Sequence, residues 1–244
     1  MGELVSTHPY TRSSRLLMLG VGAVAALGGP FLGLAPWLFP DPRLGMGAWF
    51  FPVTAVPITL FGIGLLRAFA RTRGRVIELH RAGVVEAMAG HYKVFRFDAV
   101  ESIRSERVEL RQGVGLFRTR AETHTLRLAD GESLMVNHLV CDIQALGRAL
   151  EERVAERVVT RVRTRLAENA KVPFGPVTLT GSAVEVNGHG AMYAELANVA
   201  VEDGRIRFFK RGSPRAWQSV GYGRVLNALA LLAIVRERIA PRRP

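Results

Sequence analysis

The sequence predicts an α+β protein in which a two-helix membrane hairpin is followed by curved antiparallel sheets, each closed by a C-terminal helix. Three observations carry this. Two runs free of charged side chains, residues 16–40 and 44–66, lie near the N-terminus. From residue 75 the texture changes to alternation of period two, and twice it changes again to helical spacing. This segregation explains an odd composition: the 244 residues carry 33 Lys+Arg against 21 Asp+Glu and are still 48% hydrophobic. The mean hydropathy is +0.15. A chain this apolar is not disordered.

The two uncharged runs each exceed the roughly 20 residues that cross a bilayer. Pro30, Pro36, Pro52 and Pro57 within them are tolerated better in lipid than in a soluble helix. Trp37, Trp49, Phe50 and Phe51 sit near the joined ends, where interfacial aromatics belong. Asp41-Pro42-Arg43 reads as the tight link. A cleaved signal peptide is the rival reading of the first run, since Arg12 and Arg15 precede it. Arg12 and Arg15 before the first span, and Arg67, Arg71, Arg73 and Arg75 after the second, outnumber the single Arg43 of the link. The excess of positive charge on the cytoplasmic side therefore predicts a multi-pass inner-membrane protein with both termini and the soluble part in the cytoplasm. Gly20, Gly22, Gly28, Gly29 and Gly33 give the first span a small-residue character suited to helix packing.

Residues 1–74 are thus read as a tail and two spans, residues 75–168 as a first soluble unit and residues 169–244 as a second, shorter one. In the first, short alternating runs punctuated by Gly and Asp predict about six antiparallel strands, with 100–110 and 116–128 the long ones. Asp142 is a suitable N-cap. Ile143, Leu146, Leu150, Val154, Val158 and Val162 follow at helical spacing. The pattern restarts at Val177 and ends in a helix expected from about Val220. Gly83-Val84-Val85-Glu86 with Gly90-His91 parallels Gly181-Ser182-Ala183-Val184-Glu185 with Gly188-His189. This parallel predicts an internal duplication, with one larger α+β domain as the rival reading.

Leu79-His80-Arg81-Ala82-Gly83-Val84, Phe97-Asp98-Ala99-Val100-Glu101, Lys171-Val172-Pro173-Phe174-Gly175-Pro176, and Trp217 followed by Val225-Leu226-Asn227 give the chain a resemblance to bacterial pleckstrin-homology-like domains. More closely, it resembles a group of uncharacterised bacterial membrane proteins with two N-terminal transmembrane helices and pleckstrin-homology-like cytoplasmic domains. The resemblance implies a curved sheet closed at one end by a helix; it supports a fold and not an activity. In eukaryotic members the lipid site is a basic pocket between the first strands. The turns Arg81-Ala82-Gly83 and Thr180-Gly181 here carry little positive charge.

No catalytic signature is present: no Walker loop, no His-Glu-x-x-His, no Gly-x-Ser-x-Gly and no Cys-x-x-Cys. Gly113-Val114-Gly115 and Gly221-Tyr222-Gly223 read as turns. Glu151, Glu152 and Glu156 among Arg153 and Arg157 read as a solvated helix face. A lone Cys141 excludes an internal disulfide. Neither metal nor cofactor is expected. The net charge of +12 draws the soluble part toward anionic surfaces. Arg205, Arg207, Lys210, Arg211 and Arg215, interleaved with Phe208, Phe209 and Trp217, predict a basic hairpin tip for an anionic lipid headgroup or a protein partner. No nucleic-acid motif accompanies the charge. The expected function is a non-enzymatic, membrane-anchored binding or scaffold module, able to form homo-oligomers. An accessory subunit of a membrane complex or transporter, and an enzyme acting on lipid or envelope precursors, are the alternatives.

Overall fold

A computed structural model describes residues 1–38, 50–72, 74–88, 90–112 and 117–240. The Asp41-Pro42-Arg43 link, Trp49, Arg73, the Gly113-Val114-Gly115 turn and the ends of both predicted spans toward the link lie outside the described residues. The chain is α+β. Two apolar N-terminal helices precede several antiparallel sheets, and a helix ends the chain.

The first strand was not expected. Residues read as a tail form β1 (Leu4–Pro9), which runs into α1 (Arg12–Leu38). After α2 (Phe50–Thr72), β2 (Val76–His80) pairs antiparallel with β1, with Pro9 opposite Val76 and Thr7 opposite Glu78. The helical hairpin is therefore an insertion between two neighbouring strands of one sheet, so the chain leaves and rejoins that sheet at the same end.

Within the hairpin, Gly22, Gly29 and Gly33 of α1 meet Leu65, Thr59 and Ala55 of α2. A Cβ at Gly29 would lie 2.1 Å from Thr59 Oγ1, and one at Gly62 would lie 2.3 Å from the Ala26 nitrogen. Only glycine allows this approach of the two backbones. Gly20 and Gly28, expected as part of the same contact surface, have nothing within 4 Å. The windows Arg15–Ala35 and Phe51–Thr72 have mean hydropathies of 1.9 and 1.8, and only 11% of each is buried by protein. Both helices are long and apolar enough to cross a membrane. Their outward residues, among them Leu27, Phe31 and Phe61, are left uncovered, as they would not be in core helices.

β3 (Gly83–Met88) and β4 (His91–Arg96) complete a four-stranded sheet in the order β1-β2-β3-β4. β5 (Val100–Gln112), β6 (Phe117–Leu128) and β7 (Ser133–Asn137) form a three-stranded one. α3 (Ile143–Ala167) follows, burying Leu146, Leu150, Val154, Val158, Val162 and Leu166 at four-residue intervals. The same order then recurs. β8 (Val172–Pro173), β9 (Val177–Leu179), β10 (Ala183–Val186) and β11 (His189–Met192) make a four-stranded sheet. β12 (Leu196–Glu202), β13 (Arg205–Lys210) and β14 (Ala216–Gly221) make a three-stranded one, and α4 (Ala228–Ile239) ends it. The second half is shorter in residues but has the same strand complement as the first.

Two details of the repeat were not expected. Asp142 before α3 and Asn227 before α4 both adopt the left-handed conformation, with φ of 56° and 52°. Neither side chain caps its helix. The helix expected from about Val220 begins eight residues later: Val220 belongs to β14, and Tyr222–Arg224 form a 3-10 turn. The buried apolar residues of both halves, α3 and α4 included, belong to one continuous cluster.

The junction of sheet and hairpin is built on Arg75. Its guanidinium pairs with Glu86, donates to the Tyr10 hydroxyl and, at 3.2 Å, to the Met135 carbonyl. It also lies 5.1 Å from the Tyr10 ring centroid. Arg15 donates to the Arg75 carbonyl at 3.3 Å. Two of the arginines read as topology signals are thus tied into the sheet, whereas Arg12, Arg67 and Arg71 remain exposed.

Candidate functional site

The two halves meet along β5, an edge strand of its sheet. The loop between β14 and α4 covers that edge as a strand would. Asn227 N–H donates to the Ile103 carbonyl at 2.8 Å, Ile103 N–H donates to Asn227 Oδ1 at 2.9 Å, and Asn227 Nδ2 donates to the Glu101 carbonyl at 3.3 Å. The left-handed backbone of Asn227 permits this pairing, and asparagine tolerates that conformation better than most residues. Close by, Arg104 Nε donates to the Gly223 carbonyl at 2.8 Å. A Cβ at Gly223 would sit 3.2 Å from the Ser105 carbonyl oxygen, so the turn approaches β5 closely.

Beside this seam opens a cleft of about 670 Å³, lined from the first half by β5 and α3 and from the second by the Asp203-Gly204 turn, the Gly221–Arg224 turn and α4. Its size is that of a small-ligand or peptide site. Its charges are mixed. Arg104 pairs with Glu106 at 2.7 Å, and Arg107 pairs with Glu122 at 2.6 Å. Asp203 is engaged by Arg207 at 3.0 Å. Arg148 and Arg224, both exposed, have no carboxylate partner among the described residues.

Under the cleft lies a buried polar ladder. Ser105 Oγ is 2.8 Å from His124 Nδ1, and Glu151 Oε1 is 4.0 Å from the same nitrogen. The Tyr222 hydroxyl donates to Glu151 Oε2 at 3.0 Å, joining the second half to the first. His124 Nε2 has no hydrogen-bond partner and faces Gly147, where a Cβ would lie 2.0 Å from it. A bare lone pair is cheaper to bury than an unpaired N–H, so we assign the proton to Nδ1. Serine, imidazole and carboxylate are all here, but serine and carboxylate share one ring nitrogen. A nucleophilic triad needs them on opposite nitrogens. The ladder is therefore a structural tie. Burial pushes the His124 imidazole below its ordinary value, against the opposing pull of Glu151 and Glu122, with Arg107 adding to the depression. Burial also raises the Tyr222 phenol, and the Glu151 carboxylate raises it further.

A pH dependence follows. The unfolded chain takes up the His124 proton near pH 6.5, above the depressed native value. This contribution to stability is intact above pH 6.5 and shrinks as pH falls through the unfolded pKa toward the native one. We expect the full chain in detergent to lose stability between pH 7 and pH 5, and His124→Gln to flatten that slope. Thermal unfolding across the range measures it; parallel pH profiles for the two chains would refute the role.

The basic tip expected at residues 205–215 is only partly free. β13 and β14 do form a hairpin, but the register of β12 brings acids to it. Arg207 pairs with Glu202 at 2.9 Å as well as with Asp203. Lys210 pairs with Glu195 at 2.8 Å and lies 4.9 Å from the Trp217 ring. Arg205 bonds to the Ser219 hydroxyl at 2.9 Å. Phe208 is fully buried and Phe209 half-buried, so neither is displayed. Arg211 and Arg215 remain exposed at the tip.

Ser105, His124, Glu151, Tyr222 and Asn227 were not singled out from the sequence as site residues. The available signal was period two: Glu122 and His124 alternate in step with Leu126 and Leu128, which are buried. Among the described residues no group of three or more His, Cys, Asp or Glu side chains is disposed to hold a metal ion. Among curated proteins no match to the chain is found. One family does match, over residues 17–243, a span that takes in every described strand and helix except β1 and the first turn of α1; the chain belongs to this family, DUF6585, a family of unknown function.

Proposed function

We propose that this protein is a membrane-anchored, non-catalytic scaffold whose two halves are pleckstrin-homology-like domains on the cytoplasmic face of a bacterial inner membrane. The cleft between the halves is the site for a protein partner. The observation that carries this reading is the insertion of the helical hairpin between β1 and β2. It holds both ends of the hairpin on one side of the bilayer and fixes the sheet there. It also speaks against a cleaved signal peptide, because cleavage after α1 would remove β1 from its sheet. Exposed arginines at both helix ends support the cytoplasmic side.

A polypeptide segment suits the cleft better than a lipid headgroup, because its acids and bases are interleaved. The tip at residues 205–215, with Arg207 and Lys210 paired to carboxylates and Arg211 and Arg215 still exposed, is a weaker lipid site than its sequence implies. Two measurements test the reading. A reporter fused after residue 244 should be active in the cytoplasm, and periplasmic activity would overturn the orientation. A photo-crosslinking residue at position 148 or 224 in native membranes should give an adduct of one discrete size, absent when it is placed at position 130. Equal adducts at all three positions would overturn the cleft as the site.

A further inference from the structure

We propose that the hairpin-side end of β3 and β4, where Tyr92 and Met88 project from its two faces, is a lipid-headgroup contact, which seats the first half on the bilayer surface. This rests on the reading of α1 and α2 as membrane spans.

Tyr92 is 71% exposed, Val94 51% and Met88 38%. Tyr92 and Val94 alternate along β4, an edge strand, and so share one face of the sheet. Large apolar side chains on an open edge strand invite association unless something covers them. The register shows what is at hand. Val76 pairs with Ala87, and Ala87 with Tyr92, while Met88 and His91 pair one step nearer the hairpin. Val76 follows the last residue of α2, Thr72, by four residues, a reach of at most about 13 Å. The paired residues Met88 and His91 thus lie at the end of the sheet where the chain passes into α1 and α2. Met135, 54% exposed, is at the same junction, its carbonyl bonded to Arg75.

The charge suits an anionic bilayer. Lys93, exposed, shares the opposite face of this strand end with Met88, and Arg12 and Arg71 are exposed at the helix ends. The nearest acid of β3, Glu86, is committed to Arg75. A phenol, two methionines and scattered cations are the side chains that settle in a headgroup layer. The bilayer is the occupant favoured over a second copy of the chain, because this end of the sheet is the one from which the hairpin emerges.

Depth measurement on the full chain tests this. Cys141→Ser removes the native thiol. Single cysteines are then introduced as Met88→Cys, Tyr92→Cys and Val94→Cys, with Leu27→Cys as the hydrocarbon reference and Asp130→Cys, in the turn at the far end of β6, as the water reference. Each is spin-labelled in discs of phosphatidylcholine and phosphatidylglycerol. Collision rates are compared for oxygen, which enters lipid, and a nickel chelate, which does not. Positions 88 and 92 should be shielded from the chelate to a degree between the two references. Position 92 matching position 130 while position 27 reads deep would overturn the headgroup contact and leave the spans intact. Position 27 matching position 130 would overturn the spanning reading. Shielding at 92 accompanied by spin–spin broadening would assign the face to a second copy and also overturn the proposal.

Discussion

A chain in which residues 12–74 are replaced by a short Gly-Ser linker should fold as a soluble protein, whereas one that begins at Arg75 should not. Pro9 and Val76 are paired neighbours, so a loop of two to five residues suffices to join them. The loss in the shorter chain is large. It lacks Tyr10, a core member only 3% exposed, and the buried His8, whose Nδ1 lies 3.1 Å from the Cys141 carbonyl oxygen. It also lacks the bond from Thr11 N–H to the Leu139 carbonyl and the Pro9 carbonyl that accepts from Cys141 N–H, both 2.8 Å. Burying one aromatic contributes about 2–3 kcal/mol and each hydrogen bond about 1 kcal/mol. Adding the β1–β2 ladder, the deficit approaches the roughly 5–15 kcal/mol that keeps a domain folded. Circular dichroism should show a cooperative thermal transition for the linked chain and none for the chain from residue 75. Identical transitions would mean that β1 is dispensable.

Replacing Asn227 should loosen the joint between the halves more than any other single change along β5. Asn227→Leu removes the acceptor for Ile103 N–H and the donor to Glu101, and it forces a branched side chain into a left-handed backbone. Two lost hydrogen bonds, a buried N–H without a partner and the conformational penalty together amount to about 3–4 kcal/mol. Amide exchange in a peptide covering residues 100–106 should then accelerate by more than about 100-fold. Asn227→Asp keeps the acceptor and should accelerate it less. Asn227→Gly relieves the backbone but loses both side-chain bonds, and should fall between the two. Unchanged exchange in the leucine variant would show that Asn227 does not close the edge.

Much of the architecture is legible in the chain because burial of one face imposes a period. Val154, Val158 and Val162 sit in the core as their helical spacing requires, and Phe95 and Phe97 are buried while Tyr92 and Val94 are not. What escaped detection depends on partners distant in sequence. Leu4–Pro9 carries no apolar alternation, its buried member being His8, and its partner strand lies beyond the whole hairpin. The basic stretch at 205–215 looked acid-free because Glu195 reaches Lys210 through the pairing of β12 with β13, while Glu202 and Asp203 fold back on Arg207 across the turn. Glu151 read as a solvated helix residue because nothing nearby announces Tyr222. The start of α4 was misplaced because Val220 and Val225, apolar and properly spaced, belong to a strand and a turn.

The double attachment through β1 and β2 has a mechanical consequence. A module hung from a single strand can swivel about it; two hydrogen-bonded strands side by side resist torsion as a hinge plate does. Rotation or tilt of the hairpin is therefore handed to the sheet as a whole. Through the shared core it reaches the second half, so the cleft keeps a constant bearing with respect to the axis of the two helices.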